Sequence, residues 1–419
     1  MGKKFSFLSF VVGAVAALLI AACGGPSSSS SSSSSEPIPL GLEAPLTGTR
    51  ADIGHAMVQA AQMAVDVINK SGGVLGHKVK LYVQDDAADP VDAIPAVHQL
   101  INVDHVVAII GPLSLTAGAI LPYVDAANIP ELMWGGGAQF DHETDPHFFR
   151  MSPSDTEQAE AMVYFAYKRG WKNIALAFGA SSGSQALVGP IEAAAKHLGL
   201  NIVANVVFTP GLSNYSSQIA DVYKTHPQVV MGQFNNTTAG IVFGEIRQEG
   251  LLNTPWIGTN LFYTNTWFKA VGPTVASGKI YITNSSPTGG LGAPVLLSLM
   301  KKYYGYTTPP NGFEYTYDGV MTWALGADAA GSWKWPAIEK GILKATTPPG
   351  VVCTSYPSCY KLIKEGKKIK FEGSASSVTF NKYHNVFGPF SVLHFNSDGT
   401  ASTVVTYSAQ ELESAFAGL

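Results

Sequence analysis

From residue 38 onward, short β-branched runs alternate with stretches of helical periodicity, and that rhythm constrains the fold more than any other feature. Residues 38–44 predict a strand. Residues 55–70 put Met57, Ala60, Ala61, Ala64, Val65 and Ile68 on one helical stripe, which Gly72-Gly73 ends. Residues 78–84 alternate at period two through Val79, Leu81 and Val83, a strand with one wetter face. Asp89-Pro90 offers an N-cap with proline at the first helical position, opening a helix to about residue 102. Buried strands are expected at 106–110 and 129–134 with a helix between them. Strands separated by helices pair in parallel and are covered by helices on both faces.

After Phe148-Phe149-Arg150 the rhythm restarts. Helices are expected over 155–169, 184–197, 215–224 and 238–248, and strands over 173–178, 202–208, 228–233 and 255–258. Two consecutive doubly wound units predict an α/β protein of two lobes with a cleft between them. Ligands of such sheets bind beyond the carboxyl ends of the strands. Residues 294–306 and 314–331 read as helical, and 378–407 as strand and turn. Of the 419 residues, 46% are hydrophobic, enough for two cores, and only 13% are charged, which argues against disorder. The aromatics Tyr303, Tyr304, Tyr306, Trp323, Trp333 and Trp335 read as packing.

The first residues address the chain. Lys3 and Lys4 precede a run over 5–20 that is apolar apart from Ser6 and Ser9, and Ala21-Ala22-Cys23 closes it. That is an export signal over 1–22, too short for a membrane span of about 20 apolar residues. A cysteine directly after two alanines makes it a lipoprotein signal, with Cys23 as the acylated mature N-terminus. Residues 23–36, with nine consecutive serines, read as a flexible tether. The net charge of −4 becomes −6 without Lys3 and Lys4, and no Lys/Arg cluster offers a footprint for nucleic acid. Cys353 and Cys359 predict a small structural disulfide in an exported protein. No cofactor and no metal are expected.

Gly179-Ala180-Ser181-Ser182-Gly183 fits G-x-S-x-G between a predicted strand and helix, where a serine nucleophile could sit. Its base would have to come from His197, His226, His384 or His394, none in a recognisable setting, and no evident oxyanion hole accompanies it. Gly135-Gly136-Gly137 lacks the dinucleotide pattern. Asp85-Asp86 and Asp89 could suggest a metal, but Asp89 is better used as a cap.

A series of short motifs carries a resemblance. Ala44-Pro45-Leu46-Thr47-Gly48 is followed by Ile68-Asn69-Lys70-Ser71-Gly72-Gly73-Val74-Leu75-Gly76, then Asp85-Asp86 through Asp89-Pro90. Ile110-Gly111-Pro112, Phe149-Arg150 with Pro153-Ser154-Asp155, Phe371 to Ala375 and Phe395 to Gly399 complete it. In order and spacing the chain resembles periplasmic binding proteins of type I, in the branched-chain amino acid and amide group of ABC importers. The resemblance implies two Rossmann-like lobes joined by three crossovers. Lobe 1 would hold 37–153 plus 286–385, and lobe 2 would hold 154–285 plus 386–419. Such receptors, as monomers, deliver a small molecule to permease subunits, without chemistry of their own.

The same resemblance places a ligand site on Arg50 and Ile53 of the first loop, on Ser114, Leu115 and Thr116, and on Trp134 with Gly135, Gly136 and Gly137. Lobe 2 would add Ser182, Phe234, Asn235 and Asn260. Amino-acid-binding relatives place a second serine where Leu115 stands, a threonine near Gly137 and an acid at Asn260. A buried zwitterion needs an anion for its ammonium and donors for its carboxylate. The departures therefore point to a neutral or monoanionic, partly aromatic ligand. Two rival readings are a sensory receptor subunit of the same fold and a lipid-anchored esterase using Ser181.

Overall fold

The computed structural model describes residues 36–285 and 289–419. The expected signal, Cys23 and the serine tether lie outside the described residues, as does the short stretch 286–288 where the second crossover is expected.

The first sheet has five parallel strands in the order β2-β1-β3-β4-β5. They are β1 (Ile38–Ala44), β2 (Val79–Asp85), β3 (Ile109–Ile110), β4 (Glu131–Met133) and β5 (Phe148–Arg150). Alternation along β1 sends Ile38, Leu40, Leu42 and Ala44 into one core. The helices Ala51–Lys70 and Phe313–Ala330 close that side through Met57, Ala60, Ile68, Val320, Trp323 and Ala324. The opposite face packs Ile109 against Ile120 and Val124 of the helix Ala117–Ala127. Helices thus cover both faces, as period-two burial requires.

The second sheet has seven strands in the order β14-β13-β10-β9-β8-β6-β7. These are β6 (Asn173–Gly179), β7 (Asn201–Phe208), β8 (Val229–Gln233), β9 (Trp256–Gly258), β10 (Ile280–Ser285), β13 (Phe390–Phe395) and β14 (Ala401–Tyr407). Ile174, Leu176 and Phe178 of β6 face one core, with the helices Asp155–Lys168 and Val188–His197. Ala175 and Ala177 face another, beneath Ser216–Tyr223 and Asn236–Gln248. Pairing is parallel from β7 to β10, and β13 and β14 join antiparallel.

Between β10 and β13 in sequence, β11 (Val351–Cys353) pairs with β12 (Ile369–Phe371), and a Cys353–Cys359 disulfide ties β11 to the helix Tyr356–Lys364. The aromatics Tyr304 and Tyr306 donate hydrogen bonds to Gln59 (2.9 and 3.1 Å), clamping their segment to the helix Ala51–Lys70. Asp89 caps the helix Pro90–His98 by accepting from the Val91 N–H (2.7 Å). That helix passes into a π-helical segment, Gln99–Val103, where an unbroken helix to about residue 102 is expected from the pattern. The helix expected over 184–197 is divided into Ser182–Gln185 and Val188–His197.

Candidate functional site

The carboxyl ends of β1, β3 and β4 lead into three loops that hold most of the expected contacts. After β3 the chain turns at Gly111 (φ +94°), where a Cβ would come within 2.8 Å of Leu42 and Met57. Ser114 follows, partly exposed, and its Oγ accepts from the Gly137 N–H (2.9 Å). The Gly135 N–H donates to Ser152 Oγ (3.0 Å). Ser114 and Asp155 press so closely on the glycine run that a Cβ at Gly135 or Gly136 would lie 2.2 Å from Ser114 Oγ or Asp155 Oδ1 respectively. Close approach, rather than a lost hydroxyl, is why this turn is glycine.

The backbone N–H groups of Ser114, Leu115 and Gly136 have no acceptor among the described residues. They sit beside the start of the helix Ala117–Ala127, whose dipole favours negative charge there. Trp134 stacks on Tyr315 at 5.9 Å and 13° between planes. Room for the indole comes from Gly312 (φ +84°), where a Cβ would sit 2.5 Å from Trp134 Cζ3. Tyr315 in turn donates to Ser285 Oγ (2.7 Å) at the end of β10. An aromatic wall therefore runs from β4 to the end of a second-sheet strand.

In the second sheet, a chain of neutral hydrogen bonds crosses the strand ends. Thr259 Oγ1 donates to Gln233 Oε1 (2.7 Å), Gln233 Nε2 donates to Ser184 Oγ (2.9 Å), and Ser181 Oγ donates to the same Ser184 Oγ (2.9 Å). Gln185 Nε2 donates to the Gly179 carbonyl (2.8 Å). Ser181 thus caps a helix and partners another serine. Three of the four histidines considered as its base have other partners or neighbours: His384 Nδ1 lies 3.0 Å from the Phe148 carbonyl, His394 Nδ1 lies 3.1 Å from that of Ile280, and His197 packs beside Phe416.

The remaining expected residues fall into two groups. Arg50, Leu115, Ser182, Asn235 and Asn260 are exposed at strand ends or helix starts, and Ile53 is partly exposed. Arg50 forms no ion pair among the described residues. Asn235 Oδ1 accepts from the Thr238 N–H (2.9 Å) as a helix cap. Thr116 and Phe234 turn inward instead. Thr116 is buried and donates to Asp86 Oδ2 (3.3 Å), while the Phe234 ring packs with Phe208 and Phe262 in a core.

The site's charge is governed by the first crossover. Arg150 is buried and donates to Asp141 Oδ1 (2.7 Å) and to the Gly137 carbonyl (3.2 Å). Ser154 and Thr156 hydroxyls also donate to Asp141 (2.6 Å each). Burial pushes the Asp155 carboxyl up to about 6, against the pull of Arg150. Burial likewise pushes Glu157 up to about 8 and Glu160 to about 7. Sequence reading passed over Tyr315, Gln233, Thr259, Ser184 and Asp155. Gln233 and Thr259 were findable as polar residues at or just after predicted strand ends, whereas nothing local marks Tyr315.

With this geometry in view, comparison with known proteins fixes the class. A family model described as periplasmic binding protein matches residues 37–355. A Leu/Ile/Val-binding protein homologue from Brucella melitensis is 26% identical over 301 residues, covering 70% of this chain and 80% of that protein. A branched-chain amino acid transporter substrate-binding protein from Streptococcus pneumoniae, solved with isoleucine, superposes with a TM-score of 0.70 at 19% identity, covering 89% of this chain and 99% of that one. An ABC transporter solute-binding protein from R. palustris, solved with benzoate, gives 0.67 at 18% identity, with coverages of 89% and 96%. The chain belongs to the periplasmic binding protein family. Membership of that family makes it an extracytoplasmic binding protein.

Proposed function

We propose that this chain is the lipid-anchored receptor of an ABC importer and that it captures a neutral or monoanionic, partly aromatic small molecule between its lobes. Lobe 1 is taken as 37–153 plus 286–385 and lobe 2 as 154–285 plus 386–419. The observation that carries the ligand reading is the pairing of unengaged N–H groups at Ser114, Leu115 and Gly136 with the Trp134–Tyr315 wall. Fixed N–H donors suit a carboxylate, and an indole face suits a flat ring. Asn260 is exposed, its side chain has no hydrogen-bond partner among the described residues, and it carries no charge to pair with an ammonium. The benzoate-bound relative shows that this fold accommodates an aromatic monoanion. Hinge closure over the ligand would distinguish loaded from empty receptor for the permease.

A thermal-shift screen of the purified protein tests this. A ligand at a hundredfold excess over Kd adds about 2.7 kcal/mol to folded-state stability. Aromatic monocarboxylates should raise the midpoint, and leucine, isoleucine and valine should leave it unmoved. A screen in which only the three amino acids shift it would reverse the ligand assignment. The anchor is tested separately. Cys23→Ser should block acyl labelling and signal cleavage by the lipoprotein route, and a normally acylated Cys23→Ser protein would refute the lipid site.

A further inference from the structure

At the amino ends of the first sheet, opposite the cleft, Asp125, Asp145 and His147 converge from two segments. Asp125 lies in the last turn of the helix Ala117–Ala127, and Asp145 and His147 lie just before β5. His147 Nδ1 is 3.0 Å from Asp125 Oδ1 and 3.0 Å from Asp145 Oδ1, and all three ligand atoms lie within 4.8 Å of one another. The imidazole is held rigidly: its side chain is 5% exposed, and its ring packs on Trp335 at 3.8 Å between centroids.

A neutral imidazole leaves the two carboxylates beside it without a positive partner among the described residues. One ring nitrogen carries at most one hydrogen, so it cannot bond well to two carboxylates at once. Asp125 stands at the negative end of its helix, where a carboxylate is disfavoured. Glu131, the first residue of β4, accepts the β-ladder by donating its N–H to the His147 carbonyl (2.8 Å). Its side chain is fully buried, and neither carboxyl oxygen has a hydrogen-bond partner among the described residues. Among the described residues no lysine or arginine pairs with Asp125, Glu131, Glu143 or Asp145.

We propose that Asp125, Asp145 and His147 bind a divalent transition-metal ion, Zn²⁺ being the best match to one imidazole and two carboxylates. Ligand atoms about 2.0–2.2 Å from a shared tetrahedral Zn²⁺ stand about 3.3 Å apart. The two 3.0 Å separations from the imidazole need to open by a few tenths of an ångström, and the two carboxylates already lie within 4.8 Å of each other. The fourth position is left for water. Such an ion pins the end of the helix Ala117–Ala127 to the segment that leads into β5 and neutralises the carboxylates around it. The site is independent of the ligand cleft.

The test uses the full-length chain without a polyhistidine tag, stripped with chelator and titrated with Zn²⁺ alone. Calorimetry should find one ion per chain with micromolar or tighter affinity. Loss of one of three protein ligands should weaken binding by about a hundredfold for His147→Ala and about tenfold or more for Asp125→Asn. Asp125 is half exposed, so its substitution spares the fold and decides the matter if His147→Ala does not fold. No uptake of Zn²⁺ at 100 µM, or uptake unchanged in Asp125→Asn, overturns the site.

Discussion

A methyl group at Gly136 would be driven to 2.2 Å from Asp155 Oδ1, a residue held in place because its own N–H donates to the Gly136 carbonyl (2.6 Å). The carboxylate can swing aside, but the Asp155 backbone nitrogen, 3.1 Å from that methyl, can give way only by parting the loop after β4 from the helix Asp155–Lys168. Gly136→Ala should therefore destabilise the protein by about 1–3 kcal/mol, the usual cost of overpacking. Urea unfolding checks it, and an unchanged midpoint would show that the loop is looser than drawn. The same contact explains a limit of sequence reading. The glycine run looks like a site stripped of hydroxyls, because the Ser114 and Asp155 side chains that demand glycine are 21 and 19 residues distant from Gly135 and Gly136 respectively. Phe234 shows the converse. As the residue after β8 it reads as a cleft aromatic, but the core claims its ring.

At the scale of elements, the alternation of period two and period 3.6 made most strands and helices legible, since both faces of each sheet are buried and leave clear apolar patterns. Legibility failed where hydrogen bonding, not patterning, decides. The π-helical turn at Gln99–Val103 keeps an apolar face, and the break after Gln185 follows a serine cap rather than a proline or glycine. The helices Ala337–Thr346 and Tyr356–Lys364 were not anticipated. The disulfide was, and closing so short a loop contributes about 2 kcal/mol.

The start of the helix Asp155–Lys168 also sets a pH dependence. Glu157 accepts from the Ser154 N–H and the Gly388 N–H (3.3 Å each), joining two crossovers. Burial raises its carboxyl to about 8, as it does that of Glu314 in the helix Phe313–Ala330. Folded protein thus holds protons that the unfolded chain releases above about pH 4.3. The resulting stability is present in full below that value and is lost as pH rises through about 8. The urea midpoint should fall between pH 5.5 and 8.5, and Glu157→Gln should flatten the slope. A midpoint that rises over this range contradicts the assignment.

For the whole molecule, two sheets whose strand ends carry the candidate contacts, with Tyr315 reaching from a first-core helix to Ser285 of the second sheet, support the proposed receptor that closes on its solute. The two-lobed architecture was legible because the βα rhythm runs twice. The far side of the cleft was less so, because Tyr315 stands 181 residues after its partner Trp134, in a helix whose pattern signals only burial. The ligand reading turns on Asn260, which stands at the far side of the cleft and carries no charge to pair with an α-ammonium. Calorimetry of the wild-type protein with leucine, isoleucine, valine and benzoate tests it most directly. An unpaired buried ammonium costs several kcal/mol, and each 1.4 kcal/mol is tenfold in affinity. The amino acids should thus bind at least about a hundredfold more weakly than benzoate, and Asn260→Asp should weaken benzoate further. Micromolar or tighter binding of any of the three amino acids by the wild type, with benzoate silent, would contradict the account.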